Sequence, residues 1–240
     1  MSNFPRAALA ASMAALALCA AMPAQAGRSC EHKPLTVSAI DRGLTLAEHV
    51  ARRLDQSGAE VVVLARVGQD LSRYGLRYSH LAFAYRETVP GPWKDTQDVP
   101  TRWRVVHKLN TCGTDRASLY RQGLGEFFLD DLHEHEAGFV VLSREAQERL
   151  LELLRDPREV KRMNTPAYSM VAYPWSQRYQ QSNQWAIETL ANAMEPGAKT
   201  RQQAQAWLMF KGYEPSTLRL GAFTRLGARV TAANIAFDDH

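Results

Sequence analysis

Three segments carry side chains that could do acid–base or nucleophilic chemistry together. RYSHLAFAYR, residues 77–86, sets His80 at the start of an alternating run, and WRVVHKLN, residues 103–110, sets His107 on the next one. YQQSNQW, residues 179–185, puts Ser182 just ahead of a helical pattern. Imidazole exchanges a proton near neutral pH. A nucleophilic hydroxyl needs such a base within hydrogen-bond reach, and the base needs a third group to set its tautomer. Adjacent antiparallel strands can hold two imidazoles side by side, and a helix N-terminus offers free N–H groups and a positive dipole end to a developing oxyanion. Each residue also has a plain structural use. Serine is a favoured N-cap, His80 suits a core histidine bonded to backbone, and His107 suits a strand surface. Ala82 and Ala84, on the face of His80, would leave room beside its ring.

Other groups invite weaker assignments. Asp130–Glu136 reads DDLHEHE, in which His133 and His135 could present two imidazoles to a divalent metal. A polar run between apolar segments is equally a solvated turn, so we expect no metal site, and no motif for any other cofactor is present. Tyr78, Asn183 and Gln184 flank His80 and Ser182 and are candidates to line a substrate cleft. Gly75 is a turn residue or shapes the approach to His80, and Trp185 falls on the apolar side of its helix.

The elements that must position these residues follow from periodicity. Thr45–Gln56 has helical spacing, with Leu46, Val50 and Leu54 on one face and Ser57-Gly58 as its stop. Glu60–Val67, Tyr78–Arg86, Arg102–Leu109 and Gly138–Leu142 read as strands. Val89–Pro100 is rich in Pro, Gly and Asp and reads as a loop. Ser143 should cap a helix reaching Leu154, and Asp156-Pro157 should end it. Ser182–Ala193 and Thr200–Phe210 are further helices. Tyr168–Tyr173 is a short apolar stretch, and Gly221–Phe237 suggests two short strands. Strands and helices mix without βα alternation, so the fold class expected is α+β with an antiparallel sheet packed on helices.

The first 26 residues set the compartment. Arg6 precedes an Ala/Leu/Met run from Ala7 to Ala21, and Ala24-Gln25-Ala26 forms an A-x-A cleavage pattern. The run is short for a membrane span, which needs roughly 20 apolar residues. Leu18 before Cys19 departs from the small residue of a lipoprotein site. We therefore expect a signal peptide over 1–26, a single domain over 27–240, and a periplasmic or secreted product with no transmembrane segment after cleavage. In an oxidising compartment Cys30 and Cys112 are expected to form a disulfide, with a reactive Cys112 as the alternative. The formal charge of +4 is scattered and does not point to nucleic acid.

Most of the mature chain resembles an uncharacterised bacterial family, domain of unknown function 2145, in its YSHLAFAYR, HKLNTCGTD and SNQW segments. The order of His on a strand, His on the following strand and a late nucleophile at a helix start also resembles the circularly permuted papain-like proteins. That group includes permuted relatives of the NlpC-type cell-wall peptidases and the lecithin:retinol acyltransferase group. The resemblance implies a permuted papain-like domain with His80 as general base, His107 as its orienting residue and Ser182 where the family has cysteine. It further implies amide or ester hydrolysis or acyl transfer on peptidoglycan peptides or lipid acyl groups. Serine lacks the thiolate that makes cysteine reactive in such a site. The alternative is a non-catalytic binding protein on the same scaffold, its nucleophile lost.

Overall fold

The computed structural model describes residues 34–91, 99–221 and 232–239. The signal peptide expected over 1–26 lies outside them. In chain order the elements are α1 (Val37–Gln56), β1 (Val61–Arg66), a 3-10 turn (Ser72–Tyr74), β2 (His80–Thr88), β3 (Thr101–Asn110), β4 (Ala117–Gly123), α2 (Leu124–Phe128), β5 (Ala137–Val141), α3 (Arg144–Arg155), α4 (Pro157–Arg162), α5 (Ser182–Met194) and α6 (Arg201–Phe210). The strands form one five-stranded sheet in the order β4-β3-β2-β1-β5, and every pairing is antiparallel. This is the expected α+β class.

Strand alternation splits the core into two layers. On one face Val62, Leu64, Ala82, Ala84 and Val105 pack with Val50 and Leu54 of α1 and with Leu124, Phe127 and Phe128 of α2. On the other face Val61, Phe83, Tyr85 and Val106 pack with Leu150 and Leu154 of α3, Trp185 and Ala191 of α5, and Ala204 and Leu208 of α6. The register fixes this division, because Leu64 opposes Ala82, Val62 opposes Ala84, and Ala84 opposes Val105. The small residues of β2 let the first helical layer approach closely. Gly43 of α1 does the same, since a Cβ there would sit 2.8 Å from the carbonyl oxygen of Phe128.

Local chemistry sets most helix ends. The Thr36 hydroxyl accepts from Ala39 N, the Ser143 hydroxyl from Ala146 N and the Thr200 hydroxyl from Gln203 N, each serving as N-cap. Asp156 both follows α3 and caps α4, and Pro157 takes the first helical position of α4, where its missing N–H is no loss. α1 begins well before the expected Thr45. β4, α2 and α4 had no clear periodic signal. Tyr168–Tyr173 contains no strand, and neither do the described residues from 232 on; residues 222–231 of the expected pair of strands lie outside the described residues.

The expectation of a disulfide between Cys30 and Cys112 is cut back: the described residues show none. Cys112 is the only cysteine among the described residues, so no pair of cysteine sulfurs stands there, and Cys30 lies outside them. Cys112 is exposed in the turn after β3 and is engaged rather than free.

Candidate functional site

His80 opens β2 and His107 lies near the end of β3, just past the point where the β2–β3 ladder stops at the Phe83–Val106 pair. Alternation turns both rings toward α1 and α2, and His80 Nε2 lies 2.9 Å from His107 Nδ1. His107 Nε2 lies 2.7 Å from Gln122 Oε1 on β4. A carbonyl oxygen can only accept, so His107 Nε2–H donates to Gln122. His107 Nδ1 is then the acceptor, His80 Nε2–H donates to it, and the remaining nitrogen of His80, Nδ1, is left unprotonated. Gln122 thus sets the tautomer of both rings.

Phe127 closes this relay from above. Its ring meets His107 edge-on at 5.1 Å and lies 6.0 Å from His80. The Arg66 guanidinium, on the residue opposite His80 in β1, stacks 4.4 Å from the same ring. It also donates to the Phe127 carbonyl and pairs with Asp130 at 2.5 Å. His107 is fully buried and His80 is 8% exposed. Burial, then the neighbouring Arg66 charge, then His107 hold His80 well below the usual histidine range. Burial likewise brings His107 down to about 4, against the opposing pull of its bond to Gln122. Both rings are therefore neutral near pH 7.

Ser182 comes from a different element. It is the first residue of α5, which packs on the opposite face of the sheet, with Trp185 edge-on to Phe83 at 5.8 Å. The N-cap is Gln181, not Ser182: the Gln181 side chain accepts from Asn183 N at 3.0 Å, and Gln184 Oε1 accepts from Gln181 N in a capping box. Burial pushes the ionisation of the Tyr168 phenol up, and the Ser182 side chain draws it back. Two of the N–H groups at this helix start are thus already capped.

The flanking candidates serve the framework. Asn183 Oδ1 accepts from Leu81 N at 2.8 Å and its Nδ2 donates to Ser79 O at 3.4 Å, which fills the open ladder position of β2 and pins α5 to the strand carrying His80. Gln184 Nε2 donates to Pro174 O at 2.8 Å. Tyr78 lies against Gly138 of β5, and its hydroxyl donates to Glu136 at 3.3 Å. Gly75 ends the 3-10 turn at φ +68°, as a turn glycine should. Trp185 is core, as its face predicts. In Asp130–Glu136, Asp130 pairs with Arg66, and Glu134 and Glu136 pair with Arg77.

Sequence reasoning missed a second buried polar group, on the Ser182 side of the sheet. Lys108 follows His107 and so points to the other face. Its Nζ donates to Thr165 O at 2.6 Å and Gln180 Oε1 at 2.7 Å. Gln180 Nε2 in turn donates to Glu188 Oε2 at 2.5 Å, and Arg201 and Gln205 donate to the same carboxylate. Burial, helped by the Arg201 charge, lowers Lys108 to about 7. The signal for this group was there in the charged residues at core positions of β3, α5 and α6.

These features define an α+β domain with a five-stranded antiparallel sheet and buried polar groups on both faces, including a His–His–Gln relay. Residues 53–240 match the model of a bacterial family described as "Uncharacterized protein conserved in bacteria (DUF2145)", and the chain belongs to that family. No curated protein and no solved structure shows a significant match to it. Among the described residues no helix is long and apolar enough to cross a membrane.

Proposed function

We propose that this chain is exported and works in the cell envelope as a non-catalytic binding domain, a papain-like scaffold on which the nucleophile position has become structural. Its ligand would be a peptide or an acyl chain, such as a peptidoglycan peptide or lipid acyl group. The observation that carries this reading is that the imidazole relay closes on Gln122 rather than on Ser182, while the apolar side of α5 packs against the other face of the sheet. A base activates a hydroxyl only when it is bonded to it, and the bonds of this relay run to Gln122. Depressed pKa values also make the two imidazoles poor proton acceptors at neutral pH. The composition of the first 26 residues supports export.

The relay itself favours a second reading, an amide or ester hydrolase or acyltransferase. The unprotonated Nδ1 of His80 is the atom a general base would use, with His107 as orienting residue. That reading requires a hydrogen bond between the Ser182 hydroxyl and His80 Nδ1.

Treatment of the purified mature protein with a fluorophosphonate, followed by peptide mapping, separates the two. The binding reading expects no adduct on Ser182. An adduct on Ser182 that disappears in His80→Ala would establish the enzyme instead.

A further inference from the structure

We infer that the depression between the β3–β4 turn and α4 is a binding site for a small acylated carboxylate, the chemistry of a peptide C-terminus. It stands apart from the relay and Ser182, and does not depend on the non-catalytic reading. The depression has a volume of about 560 Å³. Arg116, just before β4, and Lys161 of α4 both line it, and no acidic side chain does. Among the described residues neither cation has an ion pair, whereas most arginines on the surface are paired with a carboxylate.

The floor supplies a second demand. Asn164 lines the same depression, and its Oδ1 is buried with no hydrogen-bond partner. A buried acceptor left unmade is costly, so a ligand that brings a donor there recovers a bond that the protein alone does not make. Its neighbour is held firmly, since Thr165 O accepts from the buried Lys108 and Thr165 N donates to Gln180. Thr111 and Ser118 add hydroxyls at the rim, and Leu119 adds an apolar wall. Two cations suit a carboxylate, the Asn164 oxygen suits the amide N–H next to it, and Leu119 suits a short side chain. Simple anions satisfy only the first of these.

The test is titration calorimetry of the full mature chain with N-acetylglycylglycine, its C-terminal amide, acetate and inorganic phosphate. The free dipeptide is expected to bind best. Arg116→Ala and Lys161→Ala should each weaken it roughly tenfold, as loss of a charge-assisted bond does. Asn164→Ala should weaken the dipeptide while leaving acetate unchanged. All three positions are at least partly exposed, and unchanged thermal unfolding would show that the variants fold. Equal affinity for dipeptide, acetate and phosphate, with no effect of Asn164→Ala, would reduce the site to general anion attraction and overturn the assignment. So would no binding at all, or undiminished binding of the C-terminal amide.

Discussion

The two faces of the sheet bury polar groups by opposite means. On the α1/α2 face two imidazoles share a hydrogen bond, lean on Gln122 and stay uncharged under Phe127. On the α5/α6 face Glu188 and Arg201 pair at 2.7 Å and are satisfied by Gln180, Gln205 and backbone carbonyls. A histidine escapes the desolvation penalty by giving up its proton at modest cost, because its ordinary pKa is close to neutral. Arginine cannot, so its burial requires a carboxylate and a full set of acceptors. One strand serves both faces: His107 and Lys108 are adjacent in sequence and point into the two different environments.

The contrast can be broken first on the charged face. Arg201→Met should destabilise the domain by about 3–5 kcal/mol, because it strands a buried carboxylate. Urea unfolding at neutral pH reads this directly, and a loss under about 1 kcal/mol would mean that Glu188 finds water or takes a proton instead.

The imidazole face should respond to acid. Both histidines have folded-state pKa values below the ordinary 6.5, so as pH falls the unfolded chain takes up protons first. The stability present above pH 6.5 should therefore drain away as pH falls toward 4. His107 alone accounts for roughly 3 kcal/mol of it. Unfolding curves across this range should be steep for the native chain and flatter for His107→Gln. Equal slopes would show that the ring is already solvated.

The smallest effect is expected at the seam between the faces. Asn183 bonds the open edge of β2 in the plane of the sheet, and Asn183→Ala should cost about 1–3 kcal/mol by leaving Leu81 N unpaired. Hydrogen exchange should locate the loosening at residues 79–81. Protection unchanged there would mean that a solvent molecule replaces the side chain.

Much of this was open to reading along the chain. The alternation of YSHLAFAYR and RWRVVHKL and the apolar runs at 60–67 and 138–142 placed four of the five strands and put His80 and His107 on neighbouring strands, and the Ser143 cap and the 200–210 helix follow from local rules. β4, ASLYRQG, escaped because an edge strand with exposed polar residues has no apolar alternation to detect. Gln122, which sets the tautomer of both rings, was hidden with it.

Serine before a helical pattern suggests either a cap or a nucleophile, and Ser182 turned out to be neither the cap nor bonded to an imidazole. Gln181 took the cap because its longer side chain folds back onto Asn183 N. Residue type and periodicity determined which side chains are apolar, where helices begin and which strands neighbour one another, since these depend on contacts a few residues apart. Only the tertiary structure decided which face of the sheet each helix covers. That choice rests on how the two layers pack against the whole sheet, and it puts the imidazole relay under α1 and α2 while the apolar side of α5 covers the other face.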